Sequence, residues 1–279
     1  MILIADSGST KTNWSFISAN GEVQTGVTSG INPFFLTEEE IVDLLKKEFI
    51  FPEEAISSVY FYGAGCTPEK APVVSEALNA YFQPEKMEVH SDLLAAARSL
   101  CLNEAGIACI LGTGSNSGQY DGEKIIQQVS PLGYILGDEG SGAVLGKKLI
   151  GDMLKNQLSP HIVQDFQYTY HLNPAQIMDH VYRRPFPNRF LAQFVPFISN
   201  HIIDSEIKQL VEDSFTEFIR RNILQYPESN QLPVHFTGGV AFGFKNNLEN
   251  VFSKFNLQLG KITKDPMQGL IDYHIRIRN

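Results

Sequence analysis

Residues 2–29 read ILIADSGSTKTNWSFISANGEVQTGVTS. The opening apolar run, ILIA, has the length and composition of a strand buried on both faces. TNWSFIS follows, then Asn20-Gly21, then EVQTGVTS. Asn-Gly between two alternating segments is the strongest short-range hairpin signal, so the stretch predicts a three-stranded antiparallel meander. Its first turn, DSGSTKT at 6–12, is rich in Gly, Ser and Thr, as phosphate-binding loops are. It is not a P-loop, because Thr10 rather than Gly precedes Lys11. Nor is it a dinucleotide fingerprint, which needs a third Gly and a helix behind it.

Beyond the meander, Thr37 and Glu40 form a capping box ahead of EEEIVDLLKKEF, whose apolar positions recur at helical spacing. The pattern then alternates. SSVYFYGAG (57–65) reads as a strand and PEKAPVVSEALNAYF (68–82) as a helix. KMEVH (86–90) is a strand and DLLAAARSLCLNE (92–104) a helix. Such alternation implies parallel strands joined to the meander. At Gly106 the pattern starts again: IACILGTGSNSGQYDGEKIIQQV (107–129) holds a strand, a Gly-Thr-Gly-Ser turn, a second strand, Asp121-Gly122 and a third strand. The two stretches share a strand–glycine turn–strand grammar more than identity, which fits an internal repeat and equally two unrelated hairpins. Residues 134–226 read as helical, broken at Pro160, Pro174, Pro185, Pro187 and Pro196. PVHFTGGVAFGFKNNLENVF (233–252) reads as strand, Gly-Gly turn and helix. KFNLQLGKI (254–262) is a last strand and DPMQGLIDYHIRI (265–277) a short closing helix.

The composition bounds the function. With 279 residues, 43% hydrophobic and 19% charged, the chain suits a soluble globular protein of one large or two ordinary domains, and the strand–helix alternation makes it α/β. The formal charge of −9 argues against a nucleic-acid partner. No apolar run approaches a membrane span and MILIA is too short for a signal segment, so no membrane partner and a cytoplasmic location are expected. Cys66, Cys101 and Cys109 show no CxxC spacing, which suits reduced thiols rather than a disulfide framework or zinc site.

Four loops could carry chemistry. Two glycine-rich hairpin turns could clasp a polyphosphate, with backbone N–H groups and the hydroxyls of Ser7, Ser9, Thr10, Thr113 and Ser115 as donors. Asp6 would be repelled by phosphate directly but could hold a hydrated Mg²⁺. Either turn alone reads equally as an ordinary β-turn. In LGDEGSGA (136–143), Asp138 and Glu139 could contact substrate hydroxyls or metal, or simply favour a helix N-terminus. FTGGVA (236–241) would let a flat ring approach the backbone, or form a tight strand–helix junction. Asp92 stands where a strand ends and a helix begins, as suits a base acting on a hydroxyl and equally an ordinary helix-start acid. Asn32 could bind a sugar hydroxyl or serve as the turn residue before Pro33.

In order, DSGSTKT, SGIN, SDLLAA, GTGSNS, GDEGSG and FTGGVA resemble the loops of the sugar kinase–actin–Hsp70 ATPase superfamily. More closely, they resemble the N-acetylglucosamine kinase branch of the BadF/BadG/BcrA/BcrD-type ATPases. The resemblance runs from the first strand to beyond residue 240; GTGSN followed by LGDEGSG is its most specific part. It implies two ribonuclease H-like lobes, residues 1–108 and 109–265, the second with a helical insertion, and an ATP and substrate cleft between them. The closing helix, 266–279, would pack back on the first lobe. It further implies an ATP- and Mg²⁺-dependent kinase acting on the 6-hydroxyl of N-acetylglucosamine or a related amino sugar, with Asp92 as base. Asp6 would serve Mg²⁺ through water. Ser7, Gly8, Ser9, Thr10, Lys11, Gly112, Thr113, Gly114, Gly238 and Gly239 would form the ATP and phosphate site. Asn32, Asp92, Ser115, Asn116, Gly133, Tyr134 and Asp138 would face the sugar. A homodimer is compatible with this reading. The wider family also holds ATPase activators of 2-hydroxyacyl-CoA dehydratase and benzoyl-CoA reductase enzymes, and a non-catalytic ATP-binding regulator is a third class. Two departures lie where the sugar would be read: Leu132-Gly133 stands in place of a common Trp-Gly, and Pro33 separates Asn32 from the aromatic Phe34.

Overall fold

The computed structural model describes residues 1–8, 10–50 and 55–276. The opening meander is present as β1 (Ile2–Ser7), β2 (Lys11–Ile17) and β3 (Val23–Ser29). Both pairings are antiparallel, with Ile2 opposite Ile17 and Ile17 opposite Val23. The second turn is wider than a two-residue Asn-Gly turn. Gly21 supplies the left-handed residue at φ 84°, and the Asn20 side chain accepts from the Glu22 N–H.

Helix α1 (Glu38–Glu48) begins at the expected capping box: the Thr37 hydroxyl accepts from the Glu40 N–H while the Glu40 carboxylate accepts from the Thr37 N–H. Then come β4 (Ser58–Gly63), α2 (Ala71–Phe82), β5 (Lys86–Ser91) and α3 (Asp92–Cys101). Strand β4 runs parallel to β1, and β5 parallel to β4, giving the order β3-β2-β1-β4-β5. The unbroken apolar run ILIA follows from this: β1 is the central strand and both its faces are covered. Leu3 and Ala5 pack with Trp14, Phe61, Ile41 and Leu78 on the α1–α2 side. Ile2 and Ile4 pack with Tyr60, Tyr62, Ala95, Leu270 and Ile271 on the other.

The second sheet repeats the first. It holds β6 (Gly106–Leu111), β7 (Ser115–Tyr120), β8 (Ile125–Val129), β9 (Pro233–Thr237) and β10 (Gln258–Thr263) in the order β8-β7-β6-β9-β10. The first three strands are again antiparallel and the last two parallel to β6 and β9. The shared grammar of the two stretches is therefore a repeated topology. Between β8 and β9 lie α4 (Gly133–Leu136), α5 (Gly142–Leu154), α6 (Pro160–Tyr170), α7 (Pro174–Tyr182), α8 (Pro187–Ala192), α9 (Val195–Asn200) and α10 (Ser205–Arg221). The prolines expected to break helices mostly begin them: Pro160, Pro174 and Pro187 are first residues, where a missing N–H costs nothing. Helices α11 (Gly239–Gly243) and α12 (Lys245–Phe252) join β9 to β10, and α13 (Met267–Arg276) follows.

The chain divides into two compact units, one formed by Met1–Asn103 with the segment from Pro266, the other by Glu104–Asp265. Helix α13 thus belongs to the first unit, where it lies against α3. A Cβ at Gly269 would stand 2.2 Å from the Ser99 carbonyl oxygen, so only glycine permits that approach. Polar groups reinforce the join. His274 Nε2 is 2.9 Å from the Tyr62 hydroxyl, which also accepts from Arg98, and the His274 ring stacks on Tyr60. Burial holds His274 far below its usual pKa, at about 3, so it is neutral at pH 7. No helix among the described residues is long and apolar enough to cross a membrane.

Gly269→Ala is expected to lower stability by about 1–3 kcal/mol, since α13 must lift from α3 to admit the methyl group. Urea unfolding read by the emission of Trp14, the chain's one tryptophan and fully buried in the first unit, would measure it.

Candidate active site

In the first unit, the parallel register sets Ser7 opposite Gly63 and Gly63 opposite Ser91. The β1–β2 turn, the turn after β4 and the start of α3 therefore share one edge of the sheet, the C-terminal ends of β1, β4 and β5. That edge is where open parallel sheets usually bind ligands. The β1–β2 turn is closed by the Gly8 N–H donating to the Lys11 carbonyl at 3.0 Å. Gly8, Thr10 and Lys11 are exposed and Asp6 is half-buried at the strand end; Ser9 lies outside the described residues. A Cβ at Gly8 would meet nothing nearer than 3.8 Å, so packing alone does not demand glycine there.

Ser7 corrects one expectation. Its side chain is buried and unavailable to a phosphate: the hydroxyl lies 2.7 Å from that of Thr12 and bonds both backbone groups of Ile31, at 2.9 and 3.0 Å. The Thr12 hydroxyl also accepts from the Ile31 N–H and donates to the Ser29 carbonyl. Both hydroxyls act as fasteners between the meander and the loop that carries Asn32. The Asn32 carboxamide oxygen accepts from the Phe34 N–H at 2.9 Å, and Asn32 itself is buried at the same edge.

Asp92 opens α3 behind the N-cap Ser91, whose hydroxyl accepts from the Leu94 N–H. Burial pushes the Asp92 pKa above the usual carboxylate value, partly offset by its own N–H and that of Leu93. Its charge, second to burial, helps raise the buried Cys66 thiol to about 12, which makes that thiol neutral and unreactive at pH 7. The segment carrying Cys66, Gly63–Ala64–Gly65–Cys66, was not singled out for the site from sequence. It starts opposite Ser91, the residue before Asp92, and reaches Asn32: a Cβ on Gly65 would lie 2.6 Å from the Asn32 Oδ1. Gly-x-Gly at the end of a strand was the available signal.

The second unit carries the matching turn. The Gly112 N–H donates to the Gly114 carbonyl at 2.9 Å, and the carbonyls of Gly112 and Thr113 accept from Gly142 and Ala143 at the start of α5. Thr113 is exposed and Ser115 buried. The Ser115 N–H donates to Asp138 Oδ1 at 3.2 Å, fixing the carboxylate over Gly114. Asp138 holds a left-handed backbone at φ 55°. Burial first, and the neighbouring Glu139 charge, raise its pKa, against the Ser115 N–H and Lys147. Asn116 Oδ1 accepts from Gln128 Nε2 at 2.9 Å.

The remaining residues divide between structure and exposed surface. Glu139 is buried, ion-paired with Arg221 at 2.6 Å and bonded by Asn222, so it braces α5 against α10 rather than meeting a ligand. Gly133 is exposed in a left-handed turn at φ 72°, and Tyr134 packs partly on the core while its carbonyl accepts from Lys147. Gly238 has a packing reason to be glycine: at φ 121° its Cβ would fall 2.3 Å from the Leu111 carbonyl oxygen. Gly239, with no atom within 4 Å of a Cβ, has no such reason. Among the described residues no three His, Cys, Asp or Glu side chains gather as a direct metal site. What the first unit offers a cation is a strand-end carboxylate beside an open turn, which suits a Mg²⁺ that keeps most of its waters.

Compared with solved structures, the chain is 49% identical over its full length, and over the full length of the other, to a Porphyromonas gingivalis protein described as a candidate N-acetylglucosamine kinase; the TM-score is 0.96. The chain belongs to that protein's family. A candidate N-acetylglucosamine kinase from Chromobacterium violaceum is 18% identical, with a TM-score of 0.76 over 98% of both chains. A ROK family glucokinase from Streptomyces griseus, solved with glucose and AMPPNP, is 13% identical, with a TM-score of 0.58 over 97% of both. These more distant likenesses share the fold, the mixed α/β actin-like ATPase fold of sugar kinases with two lobes. No protein-family model matches the chain, and no curated protein does.

The raised pKa of Asp92 has a measurable consequence for stability. A carboxyl that holds its proton more tightly when folded makes the folded state lose stability as pH rises through the unfolded and then the folded pKa. Asp92→Asn is therefore expected to unfold at higher urea than the unsubstituted chain at pH 7. The gain should shrink as pH is lowered through and below the ordinary Asp pKa of about 3.9, where the carboxyl is protonated in folded and unfolded chains alike. Urea midpoints at the two pH values would check it.

Proposed function

We propose that this protein is an ATP-dependent sugar kinase of the BadF/BadG type, transferring the γ-phosphate of ATP to the 6-hydroxyl of N-acetylglucosamine or a closely related amino sugar. One observation carries the reading: a half-buried carboxylate, Asp92, shares a sheet edge with an exposed Gly–Thr phosphate-type turn, in a chain 49% identical to a candidate kinase of that sugar.

Asp92 accepts the proton of the attacking hydroxyl as its oxygen bonds to the γ-phosphorus. The bond to the β–γ bridging oxygen then breaks and ADP leaves. A carboxylate with a pKa raised by burial is a stronger base than one in water, and positioned bases contribute about 10²–10⁴ in rate. The remaining demands are placement and charge neutralisation. The backbone N–H groups and hydroxyls of the two turns, with Thr10 and Thr113 foremost, would hold the phosphates. Lys11 is an exposed strand residue that adds charge rather than chemistry. The open space over Gly8, Gly112 and Gly239 suits close approach of phosphate and adenosine. Asp6 would hold Mg²⁺ through water, and the ion would neutralise the developing phosphate charge. Asn32, Ser115, Asn116 and Asp138 would orient the sugar hydroxyls. Gly133 and Tyr134, beside the exposed Leu132, would border the substituent by which one amino sugar is told from another.

ADP release is expected to depend on sugar when N-acetylglucosamine, glucosamine, N-acetylmannosamine, N-acetylmuramate and glucose are compared; turnover equally fast without sugar would refute a kinase. Asp92→Asn should lower kcat by about 10²–10⁴ while sparing ATP binding. Because the base must be ionised, kcat/KM should fall as pH drops through a pKa above the ordinary carboxylate value, and that acid limb should be absent in the residual activity of the variant.

A further inference from the structure

We propose that Gly65 is a positioning residue for the sugar, acting by holding the Asn32 carboxamide in the one orientation that presents its NH₂ group; this rests on the sugar-kinase reading. Gly65 has a left-handed backbone at φ 83°, and its missing side chain is filled by its neighbours. A Cβ would lie 2.6 Å from Asn32 Oδ1, 3.1 Å from Asn32 Cγ and 2.9 Å from the Phe34 ring. Contacts under 3.0 Å are not made by real Cβ atoms, so any other residue must displace the carboxamide, the ring or the turn.

The amide is gripped from two further directions. Its oxygen accepts from the Phe34 N–H, while its residue's carbonyl accepts from Phe35 and Leu36 at 3.0 and 3.1 Å. The preceding residue, Ile31, is held by the buried Ser7 and Thr12 hydroxyls. With the oxygen committed to Phe34, the NH₂ is the group left to present, and it has no hydrogen-bond partner among the described residues. The Gly65 turn is itself anchored, through the Ala64 N–H to the Ser7 carbonyl at 2.9 Å and the Thr67 N–H to the Gly65 carbonyl at 2.8 Å. Two residues before Gly65, Gly63 pairs with Ser91, the residue just before the base, Asp92. The turn therefore spaces the two first-unit groups proposed to meet the sugar, one as a donor and one as a proton acceptor.

The test is a double-mutant cycle on the full chain, using Gly65→Ala, Asn32→Ala and both together, with N-acetylglucosamine as the probe. Gly65→Ala is expected to raise the sugar KM about tenfold, the loss of one well-made hydrogen bond, with the ATP KM unchanged. In the Asn32→Ala background the same change should add little, because the group it displaces is already gone. Penalties that simply add, or an equal rise in the ATP KM, would overturn the proposal while leaving the kinase reading intact. Absence of sugar-dependent ADP release in the unsubstituted protein would instead overturn that reading, and this proposal with it. Should Gly65→Ala fail to fold by Trp14 emission, the double variant decides. Recovery of the fold on removing the Asn32 carboxamide supports the steric link, and failure to recover refutes it.

Discussion

The first unit depends on a single register. Ser7, Gly63 and Ser91 stand side by side on three parallel strands, so three loops far apart in sequence end at one sheet edge. Slide β1 by one residue against its neighbours and each of its side chains would change face, emptying both apolar layers. Leu3 and Ala5 would leave one core while Ile2 and Ile4 left the other. Burial on both faces of β1 thus fixes the register, and the register fixes where Asp6, Asn32, Gly65 and Asp92 stand. The same cause acts in the second unit, where β6 is flanked by β7 and β9 and the Gly112–Gly114 turn ends beside α5.

Much of this was legible in the sequence. Strand–turn–strand punctuation is local, and the Asn-Gly turn, the Thr37–Glu40 box and the strand–helix alternation each placed an element, the helix ends to within three residues. The repeat was visible as grammar and became firm only with the strand orders, since pairing between distant strands leaves no local signature. The place of Asp92 at a strand–helix junction was also legible, because an apolar strand meets an apolar helix there.

What stayed hidden was direction. A serine in a Gly-rich turn reads as a phosphate donor, yet the alternation of β1 turns the Ser7 hydroxyl inward, where Thr12 and Ile31 satisfy it. Glu139 sits beside Asp138 in sequence, but the chain there turns through a left-handed residue and sends the two carboxylates to different tasks. Gly238 and Gly239 look interchangeable in FTGGVA; the first is required by the Leu111 backbone and the second is not. Gly65 was passed over because its reason lies 33 positions upstream, in the Asn32 amide it touches. Such contacts come from tertiary structure, and no window of sequence contains them.

Helix α13 gives the chain an unusual order of completion. In each repeat a helix follows the fifth strand: α3 after β5 and α13 after β10. Both come to rest on the first unit, where Leu270 and Ile271 cover Ile2, Ile4 and Tyr60. During synthesis, domains generally fold as they emerge, N-terminal first. Here the layer that seals the first sheet arrives only after all of Glu104–Asp265 has been made. The unit begun first is closed last, so a nascent chain stalled anywhere in its second unit would carry a first sheet with one apolar face still uncovered.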